Sequence, residues 1–374
     1  RIRDVLRPGD VAGRLGGDEF LIVLNQYSPD GDCQRLLERL LKHFRKPFVV
    51  TGARDLVITL SAGIAVYPDH ATDVSTLMRH ADVAMYGAKA DGRNACCVFA
   101  DSMMADMRRQ MLLEQKIRES LLRNHFYLHY QPQFDIASGR LVGCEALLRW
   151  RCEELGEVSS EEFIPLAERT GLIVPLGELV WLNAMQQLAE WRQLRPDFLM
   201  AVNLSPRQFR NPGLIDHLFA IVQQHGLDTR GITVEITEGL MIDSNLDSQA
   251  LLMQLRQLGF SVAMDDFGTG YSSLSHLRDH PFDVLKVDKT FVQELDFNLR
   301  DRDLLRAAVQ MAHALHLKVV AEGIETPEQL RLLQGMRCDT GQGFLLCHPV
   351  EAAEITASLL AAEEPVWALA VGQH

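Results

Sequence analysis

From Phe126 onward, short apolar runs alternate with amphipathic helical patterns, and this alternation constrains the fold more than any other feature of the chain. Strand, helix and strand following one another over roughly 240 residues indicate an α/β fold with a parallel sheet. That length suits a closed (β/α)8 barrel, of the TIM type, at least as well as an open doubly wound sheet. The predicted strands are Phe126–Phe134, Leu141–Arg149, Phe198–Asn203, Ile232–Glu235, Ser261–Asp265, Val284–Val287 and Val319–Glu322.

The first hundred residues follow a different rhythm, with short strands and turns. Val11–Leu15 and Phe20–Leu24 flank a glycine turn, which predicts a hairpin. Residues 101–124 contain no proline or glycine and are amphipathic, which fits a connecting helix or an ordinary surface helix of either neighbour. We therefore expect one domain over residues 1–100, a linker helix over 101–124 and a second domain over 125–374.

Composition excludes several classes of partner. With 37 Lys and Arg against 50 Asp and Glu, the formal net charge is −13, so the chain lacks the positive field that a nucleic-acid polymer or an anionic membrane requires. No apolar run is long enough to span a bilayer. Seven scattered cysteines without a C-x-x-C pair indicate free thiols in a reducing, cytoplasmic compartment. Because residue 1 is Arg, we expect the chain to be part of a longer protein, and an inner-membrane anchor upstream stays open.

Polar side chains stand within or at the ends of the predicted strands. In a barrel, the carboxyl ends of the strands meet at one face, so these side chains would share one bowl. Oxygen donors without His or Cys favour Mg²⁺ or Mn²⁺, and two such ions about 4 Å apart could activate water against a phosphodiester. Taken singly, each acid could instead be a solvated loop residue or a helix cap. The residues are Glu145, Asn203, Glu235, Asp265, Asp266, Lys286 and Glu322.

The motifs around these residues resemble, in order, those of the EAL family of cyclic di-GMP phosphodiesterases. The resemblance covers about residues 110–362 and implies a (β/α)8-type barrel that opens cyclic di-GMP to linear pGpG. Its motifs are Glu145-Ala-Leu147, Asn203-Leu-Ser205, Val234-Glu-Ile-Thr-Glu238, Asp265-Asp-Phe-Gly-Thr-Gly-Tyr-Ser-Ser-Leu274, Leu285-Lys-Val-Asp288, Ala321-Glu-Gly-Ile-Glu325 and Gln342-Gly-Phe344.

The resemblance also assigns roles. It implies that Lys286 holds the hydrolytic water, with Glu145, Glu235 and Asp265 catalytic. Glu238 would stabilise the loop after Asp265. The implied ligands of two metal ions are Glu145, Asn203, Glu235, Asp265, Asp266 and Glu322, and the implied substrate contacts are Gln131, Leu147, Arg149, Glu325 and Gln342.

The predicted hairpin carries a motif that resembles the GGDEF family of diguanylate cyclases, which implies an α/β palm-type domain. The family's first strand, its other metal-binding aspartate and its guanine-binding helix precede the motif and are not in this chain, so it should not form a complete GTP site. The implied residues are Gly16, Gly17, Asp18, Glu19 and Phe20 of the motif, Lys89 and Arg93 as phosphate contacts, and Arg7 and Asp10 as the inhibitory cyclic di-GMP site.

Three functions stay open at this point. The first is hydrolysis of cyclic di-GMP, with the GGDEF part regulatory or retaining residual cyclase activity. The second is a catalytically silent cyclic di-GMP receptor, although such receptors usually lose acids that are all present here. The third is a bifunctional cyclase and phosphodiesterase in the longer protein, which would also bind GTP. The resemblance further implies a homodimer formed through the EAL domain.

Overall fold

The structure is a computed structural model of the chain, and it describes residues 1–25, 32–49, 56–90, 94–237, 240, 248–268 and 274–361. The chain divides into two compact units, Arg1–Leu113 and Glu114–His374. The second unit contains an eight-stranded closed barrel, which confirms the predicted fold class. Its strands form a ring in the order β5-β13-β12-β11-β10-β9-β8-β6, closed by pairing of β5 with β6, and β7 extends the edge of β6.

The barrel strands agree closely with the runs predicted from sequence, and β13 is an addition. Their bounds are β5 Phe126–Asp135, β6 Leu141–Cys152, β7 Gly156–Val158, β8 Leu199–Asn203, β9 Ile232–Thr237, β10 Ser261–Phe267, β11 Val284–Val287, β12 Lys318–Ala321 and β13 Thr340–Gly341. The prediction of a parallel sheet is wrong for one strand, because β5 runs antiparallel to both of its neighbours. A hairpin turn joins β5 to β6, and a turn of this length reverses the chain and leaves no room for a crossover helix.

Helices surround the barrel and cover its apolar strands. The described ones are α4 Ser160–Thr170, α5 Ile173–Leu194, α6 Leu214–Gln224, α7 Ser248–Gln257, α8 Leu274–Asp279, α9 Lys289–Gln293, α10 Leu299–Ala314, α11 Pro327–Met336 and α12 Ala352–Leu360. Local sequence sets their starts: α11 begins with a capping box between Thr326 and Gln329, with Pro327 in the first turn. Aromatic pairs such as Trp191 and Phe198, whose ring centroids are 5.4 Å apart, fill the layer between helices and sheet.

The first unit contains two separate two-stranded sheets. Strands β1 Val11–Gly16 and β2 Glu19–Val23 form the predicted hairpin, and β3 Ala62–Ile64 pairs with β4 Cys96–Val98. Helices α1 Asp32–Phe44 and α2 Val74–Ala90 belong to this unit, and α3 Asp101–Arg123 follows them. Two small clusters of buried apolar residues, one around Val5 and one around Phe99, form its core.

Two features of the described residues concern membrane-spanning helices and thiol groups. None of the described helices combines the length and apolar character that a bilayer span needs. The six cysteines whose side chains the structure describes are free thiols, and Cys144, Cys152 and Cys338 among them are buried. Burial raises the pKa of the Cys338 thiol to about 12, so this group stays protonated and unreactive.

Candidate active site

The ammonium group of Lys286 lies at the centre of the barrel among four carboxylates. Lys286 stands on β11 and its side chain is 1 % exposed. Its Nζ atom lies 2.7 Å from Glu235 Oε2 and 2.8 Å from Glu322 Oε1. Asp265 Oδ1 and Glu145 Oε2 follow at 3.2 and 3.4 Å. Four strands and the turn that follows a fifth, β12, therefore bring together five charged side chains that are far apart in sequence, as the strand-end pattern predicted.

Two amides complete the polar lining around Glu145. Asn203 Nδ2 donates to Glu145 Oε1 at 2.6 Å, and Gln342 Nε2 donates to Glu145 Oε2 at 2.8 Å and to Glu322 Oε1 at 3.1 Å. The parallel register places Asn203 beside Glu235 on the neighbouring strand. The bonds from Asn203 and Gln342 hold the Glu145 carboxylate in one orientation, because each oxygen receives its own donor.

A bulge in β10 changes the strand at Asp265 and Asp266. Met264 pairs with Leu285 and Phe267 with Val287, so β10 holds one more residue than β11 over this interval. Asp266 adopts a left-handed φ of 57°, which is uncommon for a residue with a side chain. A bulge interrupts the strict alternation of side chains in a strand. This local break is the feature that allows two consecutive aspartates to approach the same end of the barrel.

Glu322 owes its position to a turn immediately after β12. Its backbone N–H donates to the carbonyl of Val287 at 3.1 Å, and Gly323 then adopts a φ of 67°. A Cβ atom on Gly323 would lie 2.5 Å from the Cβ of Lys289, so only glycine fits without displacing that residue. The turn thus keeps Glu322 at the rim of the carboxylate cluster.

One ammonium cannot neutralise four carboxylates, and the pKa values shift accordingly. Burial raises the pKa of Glu235 well above its usual value, and the charge of Glu145 adds to this increase. Burial likewise raises the pKa of Glu322, to about 7. Burial opposes the ionised form of Glu145, but the charge of Lys286 and the hydrogen bonds outweigh it and lower the pKa of Glu145. Burial also opposes the charged form of Lys286, yet the surrounding acids raise its pKa.

These shifts predict the pH dependence of stability without divalent cations. The folded-state pKa of Glu322 is about 7 against an ordinary value of 4.5, so the folded protein binds this proton more tightly than the unfolded chain. The resulting stabilisation is complete below pH 4.5 and is lost as pH rises through 7, an effect of about 3 kcal/mol. In EDTA, urea unfolding should therefore show lower stability at pH 8 than at pH 5.5, and Glu322→Gln should reduce the difference. An unchanged pH dependence in that variant would contradict the assignment.

The residues expected to contact substrate lie in three different settings. Gln131 is buried and donates from Nε2 to the carbonyl of Cys347 at 2.5 Å. Leu147 and Arg149 follow Glu145 at alternate positions of β6 and so share its face. Arg149 donates to the carbonyl of Leu148 at 3.0 Å. Burial lowers the pKa of its guanidinium group, which nevertheless keeps its positive charge. Glu325 is exposed and receives a 3.4 Å hydrogen bond from Gln293.

Two residues close to the site were not assigned a role from sequence. Gln133 is buried on β5, and its Nε2 donates to Gln342 Oε1 at 2.9 Å. Its position two residues after Gln131 on a predicted strand already placed it on the same face. Asp288 is buried at the start of α9 and caps that helix through Thr290. The charge of Asp288 also contributes, after burial and Asp265, to the raised pKa of Asp266.

Glu238 lies outside the described residues, as do positions 269–273 of the loop after Asp265.

The GGDEF-like residues are presented on the surface of the first unit. Residues Gly16 to Phe20 form the exposed tip of the β1–β2 hairpin, where Gly17 adopts a φ of 50° and its carbonyl accepts two bonds from Arg14. The Asp10 carboxylate accepts the backbone N–H of Arg7 at 2.8 Å. Lys89 is exposed near the end of α2, and Arg93 lies outside the described residues.

The donor set around Lys286 fits hard divalent cations. Carboxylate oxygens line the site with the Asn203 side-chain amide beside them, and the four acids outnumber the single positive charge of Lys286. Divalent cations would relieve the repulsion that raises the pKa values of Glu235 and Glu322. Across the described residues, no three acidic, His or Cys side chains are already grouped as metal ligands. In this arrangement the carboxylates face the Lys286 ammonium.

Comparison with known proteins identifies the families to which the two segments of the chain belong. Residues 114–349 match the EAL domain family, and residues 1–95 match the family described as diguanylate cyclase, GGDEF domain. The chain therefore belongs to the EAL family, with a GGDEF segment preceding the EAL domain.

Several relatives share both segments. The bifunctional diguanylate cyclase/cyclic di-GMP phosphodiesterase MucR of Pseudomonas aeruginosa is 39 % identical over 360 residues, covering 96 % of this chain and 52 % of MucR. The cyclic di-GMP phosphodiesterase PdeR of Escherichia coli is 36 % identical, covering 94 % of this chain and 53 % of PdeR. This chain thus spans about half the length of these relatives. The solved structure of the PaMucR phosphodiesterase in complex with c-di-GMP superposes with a TM-score of 0.63 and 39 % identity, covering 65 % of this chain and 99 % of that one.

Proposed function

We propose that this chain hydrolyses cyclic di-GMP to linear pGpG. The observation that carries the proposal is the ring of four carboxylates around the buried Lys286, supplemented by Asn203. A doubly anionic cyclic dinucleotide would be repelled by such a site unless cations bound there too. The relatives MucR and PdeR, whose names state phosphodiesterase activity on cyclic di-GMP, support this substrate.

The proposed cofactors are two Mg²⁺ or Mn²⁺ ions. Glu145, Asn203, Glu235 and Asp265 would hold one ion, and Asp265, Asp266 and Glu322 would hold the other. When bound, such ions lower the pKa of a water molecule and offset the charge that develops on the phosphate. Asp265 belongs to both sets, and the β10 bulge beside it permits Asp266 to join the second.

The remaining residues would bind the substrate and orient the attacking water. Arg149 carries a fixed positive charge on the face of β6 that holds Glu145, which suits contact with a phosphate oxygen. The Lys286 ammonium, held by the acids, would orient the attacking water. Attack of the water oxygen on phosphorus breaks the bond to the 3′ oxygen; the water loses a proton, the leaving 3′ oxygen gains one, and the linear product keeps a 5′ phosphate. Gln131, Leu147, Glu325 and Gln342 would contact the rest of the dinucleotide.

Turnover of cyclic di-GMP by the purified chain tests this proposal. With Mg²⁺ or Mn²⁺ present, chromatography should show conversion to pGpG, and Glu145→Ala should reduce the product to background while keeping the wild-type circular dichroism spectrum. Cyclic di-GMP should be bound and consumed in the same sample. Binding without consumption would instead support the silent receptor.

We propose that the GGDEF segment acts in the longer protein as a regulatory module or as a cyclase that uses GTP. The exposed hairpin tip of Gly16–Phe20 favours a role in nucleotide contact, because glycines there let backbone approach a ligand. The bifunctional name of MucR is consistent with this second activity. Formation of cyclic di-GMP from GTP by the longer protein would distinguish a cyclase from a regulator.

We also propose that the EAL domain forms a homodimer and that the protein works in the cytoplasm. Large apolar side chains stand out on the segment around the start of α10: Phe297 is 88 % exposed, Leu299 71 % and Leu304 56 %. Such a group of exposed apolar side chains is typical of a protein interface. The free cysteines agree with a reducing compartment.

A further inference from the structure

A buried pair of glutamines links β5 to the carboxylate cluster. Gln342 Nε2 lies within hydrogen-bond distance of Glu145 and Glu322, and Gln342 Oε1 lies 2.9 Å from Gln133 Nε2. Both glutamines are buried, Gln133 being 6 % exposed and Gln342 7 %. Gln342 therefore contacts two of the proposed metal ligands, Glu145 and Glu322, and Gln133 contacts Gln342 from β5.

The chemistry of the carboxylates determines which way both amides point. A carboxylate that holds a cation is ionised and only accepts hydrogen bonds, so the Gln342 group that faces Glu145 and Glu322 must be its NH₂ group. The Gln342 oxygen then faces β5 and requires a donor. Gln133 supplies that donor only when its own NH₂ group faces Gln342. The hydrogen bonds to the acids thus determine which end of each amide is the NH₂ group and which is the oxygen, although the nitrogen and oxygen atoms are similar in size.

We propose that Gln133 is a positioning residue for the metal site. It acts through Gln342, keeping that amide turned so that its NH₂ group holds Glu145 and Glu322 in place to bind cations. Groups that orient metal ligands from behind typically change metal affinity or activity by about 10- to 100-fold when they are replaced. This inference rests on the proposed cation-dependent function, and it adds a residue that touches neither substrate nor metal.

Two variants of Gln133 change its hydrogen bond to Gln342 in different ways. One removes the donor, and the other replaces the donor with an acceptor. Gln133→Leu removes the donor, and we expect Mn²⁺ affinity to fall about tenfold. Gln133→Glu places a carboxylate that accepts from Gln342, which draws the NH₂ group of Gln342 away and turns its oxygen toward Glu145 and Glu322. That variant should lose about a hundredfold in Mn²⁺ affinity. Free Mn²⁺ measured by electron paramagnetic resonance reports affinity independently of turnover, and kcat/KM should fall in parallel.

A double-mutant cycle distinguishes positioning from general damage. If Gln133 acts through Gln342, adding Gln133→Leu to a Gln342→Leu background should change Mn²⁺ affinity by less than about twofold. Gln334→Glu serves as the matched control, since Gln334 is exposed and bonds the carbonyl of Ile136. It should leave Mn²⁺ affinity unchanged, and the melting temperature of every variant in EDTA checks folding.

The outcomes separate this inference from the proposed function. Wild-type protein that binds Mn²⁺ and consumes cyclic di-GMP, together with Gln133 variants that match it, would overturn the positioning role alone. Additive effects of Gln133→Leu and Gln342→Leu would also overturn it. Wild-type protein that neither binds Mn²⁺ nor consumes cyclic di-GMP would overturn the proposed function and this inference with it.

Discussion

The Lys286→Met variant should lose about a thousandfold in turnover of cyclic di-GMP and should also be less stable without divalent cations. The loss of turnover follows from removing the group that orients the attacking water. The loss of stability follows from the contacts of the ammonium, which lies within 3.4 Å of four buried carboxylates. Removing one partner of a buried ion pair typically costs about 3–5 kcal/mol, because the remaining charges lose their compensation.

Divalent cations should offset much of that loss of stability. In EDTA at pH 7.5, the melting temperature of Lys286→Met should fall by about 10 °C. Mn²⁺ should raise it by more than it raises the wild-type value, since the cation replaces the missing positive charge. Lys318→Met is a suitable control, because Lys318 is exposed at the start of the neighbouring strand β12. A Lys286→Met protein as stable as wild type in EDTA would contradict the charge balance described above.

Glu235→Gln should lose activity as Lys286→Met does, but it should keep its stability in EDTA. Burial and the charge of Glu145 raise the pKa of Glu235 well above its usual value, which favours the protonated form of this group in the folded protein without cations. A neutral amide has the shape and the charge of that protonated form, so we expect the unfolding free energy to change by less than about 1 kcal/mol. Turnover should fall by about two to three orders of magnitude, because an amide is a weaker ligand for a hard cation.

Urea unfolding and a turnover assay on the same preparation test this combination. Glu294→Gln is the matched control, since Glu294 is exposed in the short turn after α9, and it should change neither quantity. If Glu235→Gln lost several kcal/mol of stability in EDTA, Glu235 would have to be ionised in the folded protein. The contrast with Lys286→Met is informative because the two residues are the two sides of a single 2.7 Å contact.

Much of this barrel could be predicted from the pattern of apolar runs. The predicted strand Val284–Val287 matches β11 residue for residue, and the strand-end argument placed Glu145, Glu235, Asp265, Lys286 and Glu322 in one bowl. Periodicity identifies a strand but not its direction, so the antiparallel course of β5 needed the observed pairing with β6. The two-residue β13 is too short to show any periodicity.

The finer geometry of the site was less accessible from sequence. Strict alternation would place Asp265 and Asp266 on opposite faces, and only the bulge with its left-handed residue relieves that conflict. The hydrogen bond between Gln133 and Gln342 joins residues 209 positions apart, and no local pattern predicts such a partner. Likewise, the central place of Lys286 among the acids depends on how four separate strands are staggered around the barrel.

Hydrolysis in ¹⁸O-labelled water, with cation added to protein first stripped by EDTA, tests the central claim most directly. We expect no product in EDTA. With Mn²⁺ or Mg²⁺, mass spectrometry should show pGpG carrying one ¹⁸O on its 5′ phosphate, and Glu145→Ala should form none. Cyclic di-GMP that stays intact with either cation, while an active phosphodiesterase consumes it under the same conditions, would contradict the account. So would labelled pGpG formed equally well by Glu145→Ala, because turnover would then not depend on the carboxylates around Lys286.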